Sequence, residues 1–276
     1  MPKGRPKFDR PPVVETALSV QFAPLAQYTG AHAGWFWKEY LDKLGEPSKE
    51  WSQVVEAPKL PDQFERFGAE DVWVPPSVKL FPGMQSPRTL IIRSDGERMI
   101  QIQDSRFILN WKKQSDDYPS YDALVPEFRT LLHTFESFAA EGHLGELAYN
   151  QWEVVYVDQF KKGEMWESAR DWGKIFPGLS MPPVSINQVP RTNDETMSAD
   201  WRFSLAGQLG RLYISLKQVR IPPSNDEVLN ITFVARGPVT ASQSWEQGLD
   251  NGHDAITAMF LSITSAQAQE SWKKRS

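Results

Sequence analysis

The chain reads as an α+β protein of two β-α-β(n)-α halves, with antiparallel sheets carrying helices on one face. Three observations lead there. A strand opens each half, read from period-two alternation at residues 14–22 and again expected at 151–160. Asp95-Gly96, a strong hairpin dipeptide, separates two β-rich runs in the first half. Each half then closes on a long helix with one apolar stripe.

The elements follow in order. Val14, Thr16, Leu18, Val20 and Phe22 alternate with Glu15, Ala17, Ser19 and Gln21, which predicts a strand with one buried face. Trp37, Leu41 and Leu44 fall at helical spacing, and Gly45 with Pro47 supplies a stop. Residues 51–87 are proline-rich, with an edge strand expected at 71–80, interrupted by Pro75 and Pro76. Two-residue turns at Asp95-Gly96 and Asp104-Ser105 fix a register that puts Ile91, Ile100, Ile102, Phe107, Leu109 and Trp111 on the core face. The reverse face then carries Leu90, Ile92, Met99, Gln101, Gln103, Arg106, Ile108 and Asn110. That mixture is too apolar for open solvent and too polar for a dry interior, so something partly covers it. Leu124, Phe128, Leu131, Leu132, Phe135 and Phe138 predict the long helix, ended by Gly142 and Gly145.

The second half repeats the order. A strand at 151–160 precedes a short helix marked by Met165, Ala169, Trp172 and Phe176, then strands near Ile186 and at 201–205, 212–216 and 229–234. The closing helix starts at Ser244, where Gln247 completes a capping box, and buries Trp245, Leu249, Ile256, Met259, Phe260 and Ile263. Glu15 with Gln21-Phe22 is echoed at identical spacing by Glu153 with Gln159-Phe160. An internal duplication and convergence on a common plan both accommodate that echo.

Length and composition bound the rest. The 276 residues exceed what one compact core usually organises, so a basic tail at 1–10 and subdomains at 11–145 and 146–276 are expected. Acidic residues outnumber basic ones 35 to 30, which removes a global electrostatic footprint for nucleic acid and makes it a disfavoured partner. The tails with Lys3, Arg5, Lys7 and Arg10, and with Lys273, Lys274 and Arg275, read as solvated ends. The absence of cysteine excludes disulfides, thiolate metal sites and cysteine nucleophiles, and suits the cytoplasm. No apolar run reaches membrane-spanning length, so no membrane partner is expected.

Three stretches together carry a resemblance: PPVVETALSVQFAPL from Pro11, QIQDSRFILNWKK with the following YPSY, and LDNGHDAITAMFLSIT from Leu249. On these the chain resembles, over nearly its whole length, a family of sporadically distributed bacterial proteins to which no agreed activity is attached. The element order also resembles tandem helix-grip or TATA-binding-protein-like architectures, whose curved sheets present a concave face. Function does not transfer with fold.

No phosphate-cradling glycine loop and no Gly-x-Ser-x-Gly elbow occurs, and His32, His133, His143 and His253 show no metal-ligand spacing, so no cofactor and no metal is expected. His253, beside Asp250 and Asp254, is the one imidazole placed to act as a base; a packed helix-edge histidine is the plainer reading. Glu15 and Glu153 would form a carboxylate pair if the opening strands are neighbours, against the alternative that each bonds a nearby Gln or Arg. Most tryptophans fall at core spacing, leaving Trp152 and Tyr213 as the aromatics least explained by packing.

The expected function is therefore a non-enzymatic binding or regulatory protein. Gln101, Gln103, Arg106 and Asn110, with Glu15, Gln21, Glu153 and Gln159, would hold a ligand or partner protein on the half-polar sheet face. Two alternatives stand beside it: an enzyme using Glu15, Glu153 or His253, and a nucleic-acid-binding component of a bacterial defence or mobile-element system, using Arg202, Arg211, Lys217 and Arg236. The oligomeric state stays open.

Overall fold

Alternating sequence gives the chain its strands, and all but a short pair near the chain ends assemble in one sheet. The computed structural model describes residues 7–44, 50–65, 67, 87–115, 117–179, 196–272 and 274–275. The first half runs β1 (Lys7–Phe8), β2 (Val13–Phe22), α1 (Gly30–Phe36, continued by a π-helical Trp37–Leu41 and by Asp42–Leu44), β3 (Trp51–Ala57), β4 (Arg88–Arg93), β5 (Arg98–Gln103), β6 (Arg106–Lys112) and α2 (Tyr121–Glu141). The second runs β7 (Tyr149–Lys161), α3 (Trp172–Ile175), β8 (Ser198–Ser204), β9 (Arg211–Ile221), β10 (Asp226–Pro238), α4 (Trp245–Ile263), α5 (Ala266–Ser271) and β11 (Lys274–Arg275).

Among the described residues, nine strands form one antiparallel sheet in the order β3-β4-β5-β6-β2-β7-β10-β9-β8. The opening strands of the two halves, β2 and β7, are central neighbours, and the closing strand of each half lies on its outer side. The halves thus share one sheet. The offset that carries Glu15 onto Glu153 also carries Ala17 onto Val155, and Ala17 and Val155 face each other in the register. That facing pair is the placement a two-fold relation between β2 and β7 would produce.

The hairpin register is the one the turns dictate. Ile92 pairs with Met99 across Asp95-Gly96, and Gln103 pairs with Arg106 across Asp104-Ser105. Gly96 has φ +72°, the left-handed conformation that this turn requires and glycine adopts freely. One face consequently aligns Ile91, Ile100, Leu109, Leu18 and Val154 across five strands, all of them buried. The stripe of α2 covers it with Leu124, Phe128, Leu131, Leu132, Phe135 and Phe138. On the second half α4 does the same with Trp245, Leu249, Ile256 and Phe260. Its start is the expected capping box, in which the Ser244 hydroxyl accepts from the Gln247 amide and the Gln247 side chain accepts from the Ser244 amide.

The structure differs from expectation in four places. Trp152 is fully buried rather than presented for stacking. An added Cβ on Gly248 or Gly252 of α4 would lie 2.2 Å or 2.6 Å from its ring, so those two glycines form the slot that lets helix and strand close over the indole. β3 was not expected, because WSQVVEA sets only Trp51 deep and leaves Val54 and Val55 about two-fifths exposed on an edge. A short ladder near the ends was also not expected: the backbones of Lys7 and Phe8 pair with those of Arg275 and Lys274, and Phe8 packs edge-on against Phe260 and Trp272. Leu44 is 48% exposed, since the π-helical turn at 37–41 shifts the stripe before it is reached. The strands expected at 71–80 and near Ile186, and the stop at Gly45 and Pro47, lie outside the described residues. Among those described, no helix is long and apolar enough to cross a membrane.

Candidate functional site

The reverse face of the sheet gathers most of the polar residues singled out in the sequence. One cross-strand row runs Leu90, Gln101, Ile108, Ser19, Glu153, Arg236 and Arg211, and the next runs Ile92, Met99, Asn110, Ala17, Val155, Val234 and Tyr213. Gln101 donates to Asn110 at 2.6 Å, and Asn110 donates to the Glu15 carboxylate at 2.7 Å. Gln159 donates to Asn230 at 3.1 Å on the second half. The amide nitrogens here are bonded to neighbouring oxygens, while Gln101 Oε1 makes no hydrogen bond with any described residue.

Residues 58–65 cross this face as a strap. Gln103 and Leu60 exchange two hydrogen bonds: the Leu60 amide donates to Oε1 at 3.0 Å and Nε2 donates to the Leu60 carbonyl at 3.0 Å. Gln21 and Gln63 do the same, at 2.9 Å and 3.1 Å. Each glutamine side chain presents the donor and acceptor of a strand edge to an extended main chain. Arg106 adds one guanidinium nitrogen shared between Gln21 Oε1 at 2.7 Å and the Pro61 carbonyl at 3.2 Å. Burial pulls the Arg106 pKa below its ordinary value, a shift opposed by Glu153 and Asp62. The strap is anchored beyond by Ser105 donating to Asp62 and by the Lys59–Asp104 ion pair.

Glu65 ends the strap over the second half, with its side chain only 5% exposed. It accepts from Arg211 at 2.6 Å and from the Tyr213 hydroxyl at 2.9 Å, and lies 3.1 Å from Arg236 Nε. The arginines expected to face nucleic acid therefore include two, Arg211 and Arg236, that meet an internal carboxylate.

The three candidate catalytic groups do not converge. β2 and β7 are neighbours, but Glu15 faces Val157 and Glu153 faces Ser19. Four residues of strand, about 13 Å, separate the two backbone positions, and each carboxylate turns to a different partner. Glu15 accepts from Asn110 and Glu153 lies 3.5 Å from Arg236. His253 is on the opposite side of the sheet, on the buried side of α4. His32 caps α1 by accepting from the Thr29 amide, and His133 pairs with Glu136.

His253 borders a cavity that no sequence motif announced. The space, about 380 Å³, lies where the two halves meet on the helix side, between residues 8–13, the start of α2, β7 and α4. Tyr121 of α2 stacks on the His253 ring at 4.0 Å between centroids and 6° between planes, so each half contributes one side of that wall. The Tyr156 hydroxyl and His253 Nδ1 share a 2.9 Å hydrogen bond. Burial raises the Tyr118 hydroxyl to about 12 and the Tyr156 hydroxyl well above its ordinary value, keeping both neutral. At the floor, Asp158 is 5% exposed, and burial raises its carboxyl to about 7. A signal for it did exist. Trp152, Val154, Tyr156, Asp158 and Phe160 all share the buried phase of β7, and an aspartate in that phase is the anomaly.

No family model matches the chain, and no curated protein matches it. What fold and site define is an α+β protein with one continuous antiparallel sheet, a strapped polar face and a cavity on the other side.

Proposed function

We propose that this chain is a non-enzymatic binding or regulatory protein whose reverse sheet face holds an extended polypeptide segment by its main chain. The twin glutamine-to-peptide pairs, at Gln103 with Leu60 and at Gln21 with Gln63, carry the reading. Such pairs recognise backbone and ignore side-chain identity, so a face that holds residues 58–65 suits any extended segment of similar shape. The Gln101–Asn110–Glu15 relay and the Gln159–Asn230 pair prolong the row of donors and acceptors away from the strap, toward a partner chain. Internal duplication is part of the proposal: the repeated Glu/Gln-Phe spacing and the facing pair Ala17 and Val155 support it.

The test uses the strap as its own ligand. Lys59→Ala, Asp62→Ala and Glu65→Ala together loosen the strap, and a fluorescent peptide PKLPDQFE is titrated while anisotropy is read. The loosened protein is expected to bind the peptide, the unaltered protein to bind it far less, and addition of Gln21→Leu with Gln103→Leu to abolish binding. A loosened variant with unchanged circular dichroism that ignores the peptide removes the reading.

A further inference from the structure

We propose that the cavity between the halves is a binding site for an organic ammonium ion, with the charged head against Asp158 and an apolar or aromatic body between the tyrosines. The site is separate from the strapped face and independent of the reading above.

Four observations combine. The Asp158 carboxyl is almost wholly buried, opens on the cavity, and makes no hydrogen bond or ion pair with any described residue. A buried carboxylate without a partner is rare unless it meets a ligand or stays protonated. Second, the described lining holds the carboxyl groups of Asp158, Asp117, Asp9 and Asp122, the last two with interactions of their own, and no lysine or arginine. Such a lining favours a cation over an anion. Third, the lining includes five aromatic side chains, Phe8, Tyr118, Tyr121, Tyr156 and Phe260, beside apolar ones such as Val13 and Ile256, surroundings in which an alkylated ammonium can gain cation–π attraction. Fourth, the apolar and aromatic side chains beside the Asp158 carboxyl give an organic cation a body contact that a bare metal ion cannot use. The volume, about 380 Å³, accommodates a small amine and lies at the low end of the ordinary range for ligand sites. The raised Asp158 carboxyl agrees with this: alone it is poised to keep its proton, and a cation against it would hold it ionised.

Phenethylamine is the probe, titrated at pH 8 by calorimetry beside 2-phenylethanol and phenylacetate, which keep the ring and change only the head. A capped lysine tripeptide in a parallel arm distinguishes a free amine from a lysine side chain as the source of the ammonium. The amine or the peptide is expected to bind at least ~10-fold more tightly than the alcohol, with phenylacetate silent, and Asp158→Asn to weaken the ammonium by ~10-fold or more without loss of folding. Thr257→Phe, which fills the cavity from α4, serves as the second variant and is expected to abolish binding. Equal binding of alcohol and amine, binding of phenylacetate, unchanged affinity in either folded variant, or no ammonium binding up to ~10 mM would each overturn the proposal.

Discussion

Trp152 and Glu153 are consecutive residues of β7 that face opposite ways, and their surroundings contrast the two sides of the sheet. Trp152 has no exposed surface and sits in a slot of glycines, Gly248 and Gly252 from α4 with Gly210 and Gly237 beside β9 and in β10. Glu153 shares Arg236 with Glu65, at the end of a strap held by side-chain amides. The helix side is closed by shape, which admits no extra atoms. The strap side is closed by hydrogen bonds, which a chemically equivalent partner can replace. Asp158 is the exception that joins them: a polar group on the side closed by shape, with a cavity above it.

The contrast is broken most directly at the slot. Gly248→Ala places a methyl carbon 2.2 Å from Trp152 Cδ1, and chemical denaturation should show a loss of about 3 kcal/mol. A neutral result would mean that the indole is loosely held and the two sides are alike.

Next comes Asp158, whose folded pKa of about 7 stands above the ordinary 3.8. Between those values the folded protein keeps a proton that the unfolded chain has released. Stability therefore falls as pH rises through that window, and the deficit is complete above about pH 7. Asp158→Asn removes the deficit at the cost of burying an amide, so urea denaturation at pH 8 should show a gain of about 2 kcal/mol, fading below pH 4. A gain that is equal at both pH values would show that the carboxyl does not titrate as its burial dictates.

On the strap side, Gln103→Leu should cost about 1 kcal/mol globally. Its sharper signature is local: hydrogen exchange at the Leu60 amide should accelerate while that of core strands such as β6 is unchanged. Acceleration spread evenly over the sheet would mean that the strap is part of the cooperative core. The smallest effect is expected far from both faces, at the exposed Lys38–Asp42 pair of α1, where Asp42→Ala should change stability by under ~0.5 kcal/mol in thermal melts.

Much of the helix side was legible in the sequence because it rests on local periodicities. Asp95-Gly96 and Asp104-Ser105 set the register of β4, β5 and β6, and the period of two then assigned every side chain to a face. Ser244 and Gln247 likewise marked the start of α4. The strap was not legible. PKLPDQFE has no period, and its bonds to Gln21 and Gln103 join residues about forty positions apart. The glycines at 248 and 252, one helical turn apart, were a readable sign of close approach, but nothing local named Trp152 as the ring they admit.

By itself the sequence determined the alternation, the turns and the helix stripes, because those arise from sterics between residues a few positions apart. It also determined that the reverse face is half polar and in need of cover. Only the tertiary structure decided what provides that cover, that β2 and β7 join two halves into one sheet, and that Asp158, Tyr121 and His253 surround one space. Those are juxtapositions of distant segments, set by how buried area and paired hydrogen bonds are satisfied over the whole chain, and no short window of residues encodes them.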